Sequence, residues 1–148
     1  MMNFTRPFSL FASICTVLLV FTAIAINQAR AEVVDIGENQ LSDLLAKNVR
    51  IVDLRRADEW QDTGVIEGSI LETFFDEKGN HRAKQWFESV SGQTSESEQL
   101  ILICHTGVRS KVVANWLDKF SPYEKIYNVK DGIAKWIGMG RKVVKPEE

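Results

Sequence analysis

The stretch Cys104-His105-Thr106-Gly107-Val108-Arg109 puts one thiol and one guanidinium at either end of a six-residue segment that contains a glycine. Before it runs Leu100 to Ile103, a continuous apolar stretch short enough to be a strand buried on both faces. After it, Val112, Val113, Trp116, Leu117 and Phe120 recur at three- and four-residue steps until Ser121-Pro122 breaks the pattern, as in an amphipathic helix. A chain that leaves a strand and enters a helix over so few residues must curl, and Gly107 supplies backbone freedom that a side chain would forbid. The amides of such a curl converge into an anion nest, and the positive end of the following helix adds to it. Both favour a thiolate or a persulfide at Cys104. Arg109, in the first helical turn, can aim its planar fork at the same space to hold an oxyanion, or it can pair with an acid such as Asp53.

The alternatives for this thiol are limited. A buried, inert role is a common fate for a free cysteine, but a position between a buried strand and a helix, with Gly107 and Arg109 at fixed offsets, argues for reactivity. His105 is adjacent to Cys104, and a neighbouring loop residue rarely turns its ring back onto the sulfur, so it is read as part of the loop wall. The other histidine, His81, sits in a polar turn after Gly79-Asn80. Two histidines and one cysteine do not make a zinc pattern, and neither a metal nor a cofactor is expected. A thiol activated by electrostatics alone suits attack on sulfur better than on a peptide carbonyl.

The elements that position this loop occupy the chain after residue 31. Phe8 to Ile26 is almost entirely apolar, follows Arg6 and precedes Ala29-Arg30-Ala31, a small-x-small cleavage pattern. Residues 1–31 are therefore expected to be an export signal, with a location in the periplasm or cell envelope; the alternative is a retained membrane anchor, since the apolar run is long enough to cross a bilayer. The other cysteine, Cys15, falls in this segment, so the remainder cannot close an internal disulfide. Residues 32–148 suit one domain. The first 31 residues carry two of the 18 basic residues and none of the 20 acidic ones, so the domain is mildly acidic, which argues against a nucleic-acid partner.

Within that domain, strands and helices alternate. Val33 to Ile36 reads as a strand, Leu41, Leu44 and Leu45 mark a helix, and Ile51 to Leu54 is a second strand. Ala57 to Asp62 suits a single helical turn stopped by Gly64, Ile66 to Leu71 a brief strand, and Asp76 to Asn80 a turn. Trp86, Phe87 and Val90 share one helical face within Ala83 to Val90, and Ser91 to Gln99 is polar. Ile126 to Val129 reads as the last strand and Gly132 to Met139 as the closing helix, with Trp136 inward and Gly140 its stop. Such alternation implies an α/β fold: a central, mostly parallel sheet with helices on both faces and ligand sites at the carboxyl ends of its strands, where Cys104 lies.

From Val33 to Lys145 the chain resembles the rhodanese family. Ile51-Val52-Asp53-Leu54-Arg55 with Glu59-Trp60 is similar to its early signature, and Gly64 to Ser69 follows at the corresponding place. Cys104 to Ser110 is similar to its active loop, and Tyr127-Asn128-Val129 through Gly132 to Trp136 resembles its closing strand and helix. Val65 stands where the family often has histidine, and Asp131 where a second glycine is common. The resemblance implies a sulfurtransferase that takes sulfane sulfur from a small anionic donor such as thiosulfate, holds it as a persulfide on Cys104, and passes it to cyanide or a thiol. It implies Cys104 as the catalytic residue and His105, Thr106, Gly107, Val108 and Arg109 as the substrate loop. Asp53 and Arg55 are read as structural support, ending a buried strand and able to pair with Arg109, Glu59 or loop amides. A second implication is a persulfide carrier or docking module with little turnover on small donors. Phosphatases of the related fold have one more residue between Cys and Arg than the four found here, which favours sulfur transfer.

Overall fold

Leu100 to Ile103 expose no surface, and a strand buried so completely needs a neighbour on each edge and a layer on each face. The computed structural model, which describes residues 32–95 and 99–146, supplies both. The elements run β1 (Glu32–Ile36), α1 (Glu38–Ala46), β2 (Arg50–Asp53), α2 (Ala57–Thr63), β3 (Ile70–Leu71), α3 (Ala83–Ser91), β4 (Gln99–Ile103), α4 (Val108–Phe120), β5 (Lys125–Val129) and α5 (Gly132–Gly138). The five strands form one sheet in the order β1-β5-β4-β2-β3, with β4 at its centre. Every strand pair in it is parallel.

The side chains of β4 alternate between two cores, as strand geometry requires. Leu100 and Leu102 join Val52, Leu54 and Ile126 on one face, against Trp86 and Val90 of α3 and Val113, Ala114 and Leu117 of α4. Ile101 and Ile103 join Ile51 and Val129 on the other, against Leu41 of α1 and Ile133 and Trp136 of α5. The expected layering of helices on both faces is therefore present.

Three local expectations change. The strand expected over Ile66 to Leu71 is confined to Ile70–Leu71, because Gly68 adopts a φ of 80° and the Ser69 N–H donates to the Ile66 carbonyl, which makes a turn. The single turn expected at Ala57 to Asp62 is a longer helix running to Thr63. In α4 the buried face is Ser110, Val113, Ala114 and Leu117, while Val112 and Phe120 are exposed. The inward row contains a serine, so apolarity alone drew the helix face too far toward Val112 and Phe120; Trp116 lies at the edge, packed among the rings of Phe74, Phe87 and Phe120.

The proposed export segment, residues 1–31, lies outside the described residues, as do 96–98 of the polar stretch before β4. Among the described residues no helix is long and apolar enough to cross a membrane.

Candidate active site

Cys104 follows the last residue of the central strand and is fully buried. Its backbone is held from two directions. On one side the Leu54 N–H donates to the Ile103 carbonyl at 2.9 Å; on the other, the Ile133 and Ala134 N–H groups of α5 donate to the carbonyls of Cys104 and His105 at 2.9 and 3.1 Å. With these carbonyls engaged by α5, N–H groups of the curl are left to serve the sulfur. The Gly107 N–H lies 3.2 Å from Cys104 Sγ and the Ser110 N–H 3.4 Å. The Ser110 amide is one of the first four in α4, which have no acceptor within the helix.

Two glycines make this curl possible by interlocking two loops. Gly107 has a φ of 84°, and a Cβ there would lie 2.0 Å from the Lys130 carbonyl oxygen. Gly132 has a φ of 63°, and its Cβ would lie 2.3 Å from the His105 carbonyl oxygen. Each loop thus occupies the space that a side chain of the other would need. His105, Thr106 and Val108 face solvent around the curl, and Val108 is 68 % exposed.

The guanidinium of Arg109 is paired. Its Nη1 and Nη2 donate to the two carboxylate oxygens of Glu59 at 2.8 and 2.6 Å, a bidentate pair joining α4 to α2.

The rhodanese-like domain family model matches residues 38–139, most of the chain. The chain belongs to the rhodanese-like domain family. No curated protein sequence matches it. Among solved structures, a polysulfide-sulfur transferase homodimer from Wolinella succinogenes is similar, with a TM-score of 0.61 at 18 % identity, covering 93 % of each chain. A thiosulfate sulfurtransferase from Pseudomonas aeruginosa is similar with a TM-score of 0.61 at 20 % identity, covering 78 % of this chain and 21 % of that one. A rhodanese-related protein from Thermoplasma volcanium has a TM-score of 0.58 at 21 % identity, covering 76 % of this chain and 99 % of that one. At these identities the likeness is one of fold.

In this rhodanese-like domain Asp53 and Arg55 form a fully buried ion pair behind the loop, with Nη2 2.7 Å from Oδ2. The remaining Arg55 donors are used on α2: Nη1 reaches Thr63 Oγ1 at 2.7 Å and the Glu59 carbonyl at 3.3 Å, and Nη2 reaches the Gly64 carbonyl at 2.8 Å. Arg55 thereby fastens the carboxyl end of α2, the helix that presents Glu59. The partners expected for Asp53 and Arg55 are Arg109, Glu59 or loop amides; of these only the Glu59 backbone is engaged, by Arg55, while the two residues pair with each other and Arg109 takes the Glu59 side chain.

Ser110, Asn128 and Asp35 join the site without having been assigned a role from sequence. Ser110 Oγ lies 3.4 Å from Cys104 Sγ and 2.6 Å from Asn128 Oδ1, and Asn128 Nδ2 donates to Asp35 Oδ1 at 2.9 Å. A signal was present: Ser110 interrupts the inward row of an apolar helix, and Asn128 sits inside the otherwise core-forming strand Ile126 to Val129.

The Glu59–Arg109 pair makes a pH prediction. Burial alone would raise the Glu59 carboxyl, but the Arg109 hydrogen bonds and the Arg56 N–H hold it below the ordinary carboxylate value. A folded value below the unfolded one means stability that is complete above the unfolded value, about 4.3, and is lost as pH falls through the folded value. The urea midpoint should therefore fall more steeply from about pH 5 to about pH 3 in the wild type than in Glu59→Gln. Equal slopes would show that the pair contributes no pH-dependent stability.

Proposed function

We propose that the chain is a sulfurtransferase in which Cys104 carries sulfane sulfur as a persulfide. The observation that carries this reading is the sulfur at the focus of the loop, with the Gly107 and Ser110 N–H groups directed at it. Backbone donors of this kind stabilise a negative charge on sulfur without needing a protonated side chain. With thiosulfate as donor, the Cys104 thiolate attacks the sulfane sulfur, the S–S bond of the donor breaks, and sulfite leaves with its electron pair. The terminal sulfur then lies in the curl of His105, Thr106, Gly107, Val108 and Arg109. Cyanide or a thiolate attacks that sulfur next, the Cys104–sulfur bond breaks, and the cysteine thiolate returns, a two-step exchange.

The test is thiocyanate formation from thiosulfate and cyanide. The wild type is expected to show ping-pong kinetics, and Cys104→Ser to fall to the uncatalysed background. Absence of turnover in the wild type together with no added sulfur on Cys104 by mass spectrometry would refute the proposal.

A second reading, a persulfide carrier with little turnover on small donors, has one observation in its favour: the loop's single fixed cation, Arg109, is already neutralised by Glu59. A stable additional sulfur on Cys104 with negligible thiocyanate formation would select it. We also propose export, with residues 1–31 removed as a signal; N-terminal sequencing of the envelope fraction checks cleavage after Ala31.

A further inference from the structure

The Ser110 hydroxyl has one hydrogen and three acceptors within reach: Asn128 Oδ1 at 2.6 Å, the Gly107 carbonyl at 3.1 Å and Cys104 Sγ at 3.4 Å. Which of them receives it is decided two residues away. Asp35 Oδ1 is an acceptor, so the Asn128 atom facing it at 2.9 Å must be the amide Nδ2, and the Asn128 carbonyl oxygen is thereby turned toward Ser110. Lys111 Nζ, 3.0 Å from the same Asp35 oxygen, fixes the carboxylate from the solvent side. Ser110 and Asn128 are buried and Asp35 is half in solvent, so the chain leads from the sulfur to the surface.

We infer that Ser110 is a switchable donor to the Cys104 sulfur, and that Asp35 and Asn128 are positioning residues that hold its hydrogen away from the sulfur while the sulfur is a thiol. In the thiol state the hydrogen points to Asn128 and the Ser110 lone pairs accept from S–H. Once the sulfur has lost its proton it can only accept, and rotation about the Ser110 Cβ–Oγ bond delivers the hydrogen to it as a third donor beside the Gly107 and Ser110 amides. The amide of Asn128 carries no transferable proton, so the chain sets orientation and does not conduct protons. This deepens the sulfur-transfer reading by assigning its anionic sulfur a side-chain partner.

Other charges near the sulfur act in the background of this device. Arg109, paired with Glu59, feels the Cys104 charge, the Asp53–Arg55 pair lies behind the loop, His105 adjoins Cys104, and Lys111 and Lys130 act on Asp35. Asp35→Asn would therefore release the Asn128 amide and also remove a charge, and a double-mutant cycle separates the two. The measurement is the pH midpoint of thiolate ultraviolet absorbance in the full chain, with Cys104→Ser as the blank to remove Cys15 and tyrosine signals. Ser110→Ala should raise the midpoint by about one pH unit, a tenfold loss of thiolate. Asp35→Asn should lower it by about half a unit, and by clearly less when Ser110 is already alanine, where only the effect of the lost charge remains. A Ser110→Ala midpoint within about 0.3 units of wild type, no change with Asp35→Asn, or the same Asp35→Asn change with and without Ser110 would each overturn the inference. Urea midpoints show that the variants are folded at the pH of reading. The titration reports the thiol itself, so a chain that forms no thiocyanate and takes up no sulfur on Cys104 yet shows the cycle would defeat the sulfur-transfer reading and leave this one standing.

Discussion

Gly107→Ala is expected to destabilise the domain by about 4 kcal/mol and to reduce the proposed sulfur transfer at least about 100-fold. Two costs combine at this position. A left-handed backbone costs an L side chain about 1–2 kcal/mol wherever it occurs. The second cost is local: the new Cβ would stand 2.0 Å from the Lys130 carbonyl oxygen and 2.8 Å from that of Val129, both backbone atoms at the end of a core strand. Relief requires the Cys104 loop and the β5–α5 loop to move apart, which removes the Gly107 N–H from the sulfur. Gly79→Ala separates the two costs, since Gly79 has a φ of 80° but nothing within 4 Å of its Cβ. Urea denaturation should place Gly79→Ala near 1–2 kcal/mol and Gly107→Ala well beyond it. If the two midpoints coincide, the interlock contributes nothing and Gly107 serves only its own φ.

That partner loop marks the boundary of what the sequence could reveal. The need for glycine at position 107 is local, set by how quickly a strand must become a helix, and short-range reasoning reached it. The reciprocal need at Gly132 depends on where the His105 carbonyl lies in space, so nothing within the β5–α5 segment announces it. The central strand was legible for a similar reason: four consecutive apolar residues can only be buried on both faces, and both faces of Leu100 to Ile103 are covered. The face of α4 was less so. Hydrophobic spacing counted Val112 and Phe120 and skipped Ser110, because a serine that is fully buried through hydrogen bonds to Asn128 and Gly107 looks polar in the sequence and behaves as core in the fold.

Pairings of charge were the least accessible. Asp53, Arg55, Glu59 and Arg109 were all visible, and two acids with two arginines allow more than one matching. The fold chooses by direction: Asp53 and Arg55 are two positions apart at the end of β2 and fold onto each other, while Glu59 is carried by α2 to the first turn of α4, fifty residues along the chain from Arg109. The consequence reaches function. A guanidinium held by both oxygens of a carboxylate is a weaker anion receptor than a free one, so in the proposed mechanism the backbone amides carry more of the work of stabilising sulfur than the motif alone suggests.

The second large effect should come from the buried pair that supports this arrangement. Arg55→Met is expected to cost about 3–5 kcal/mol, because it leaves the Asp53 carboxylate fully buried without its paired cation. It also strips the Gly64 carbonyl and Thr63 hydroxyl of their donor, loosening the end of α2. Asp53→Leu combined with Arg55→Met removes both charges at once and should be more stable than Arg55→Met alone, since the desolvation of an unpaired ion is the larger part of the loss. Some cost should persist in the double variant, because leucine and methionine offer nothing to the α2 carbonyls. Urea midpoints for the three proteins decide the matter. A double variant no better than Arg55→Met would mean that the pair matters chiefly through α2, and its Glu59–Arg109 contact should then be lost as well, read as a wild-type pH slope collapsing to that of Glu59→Gln.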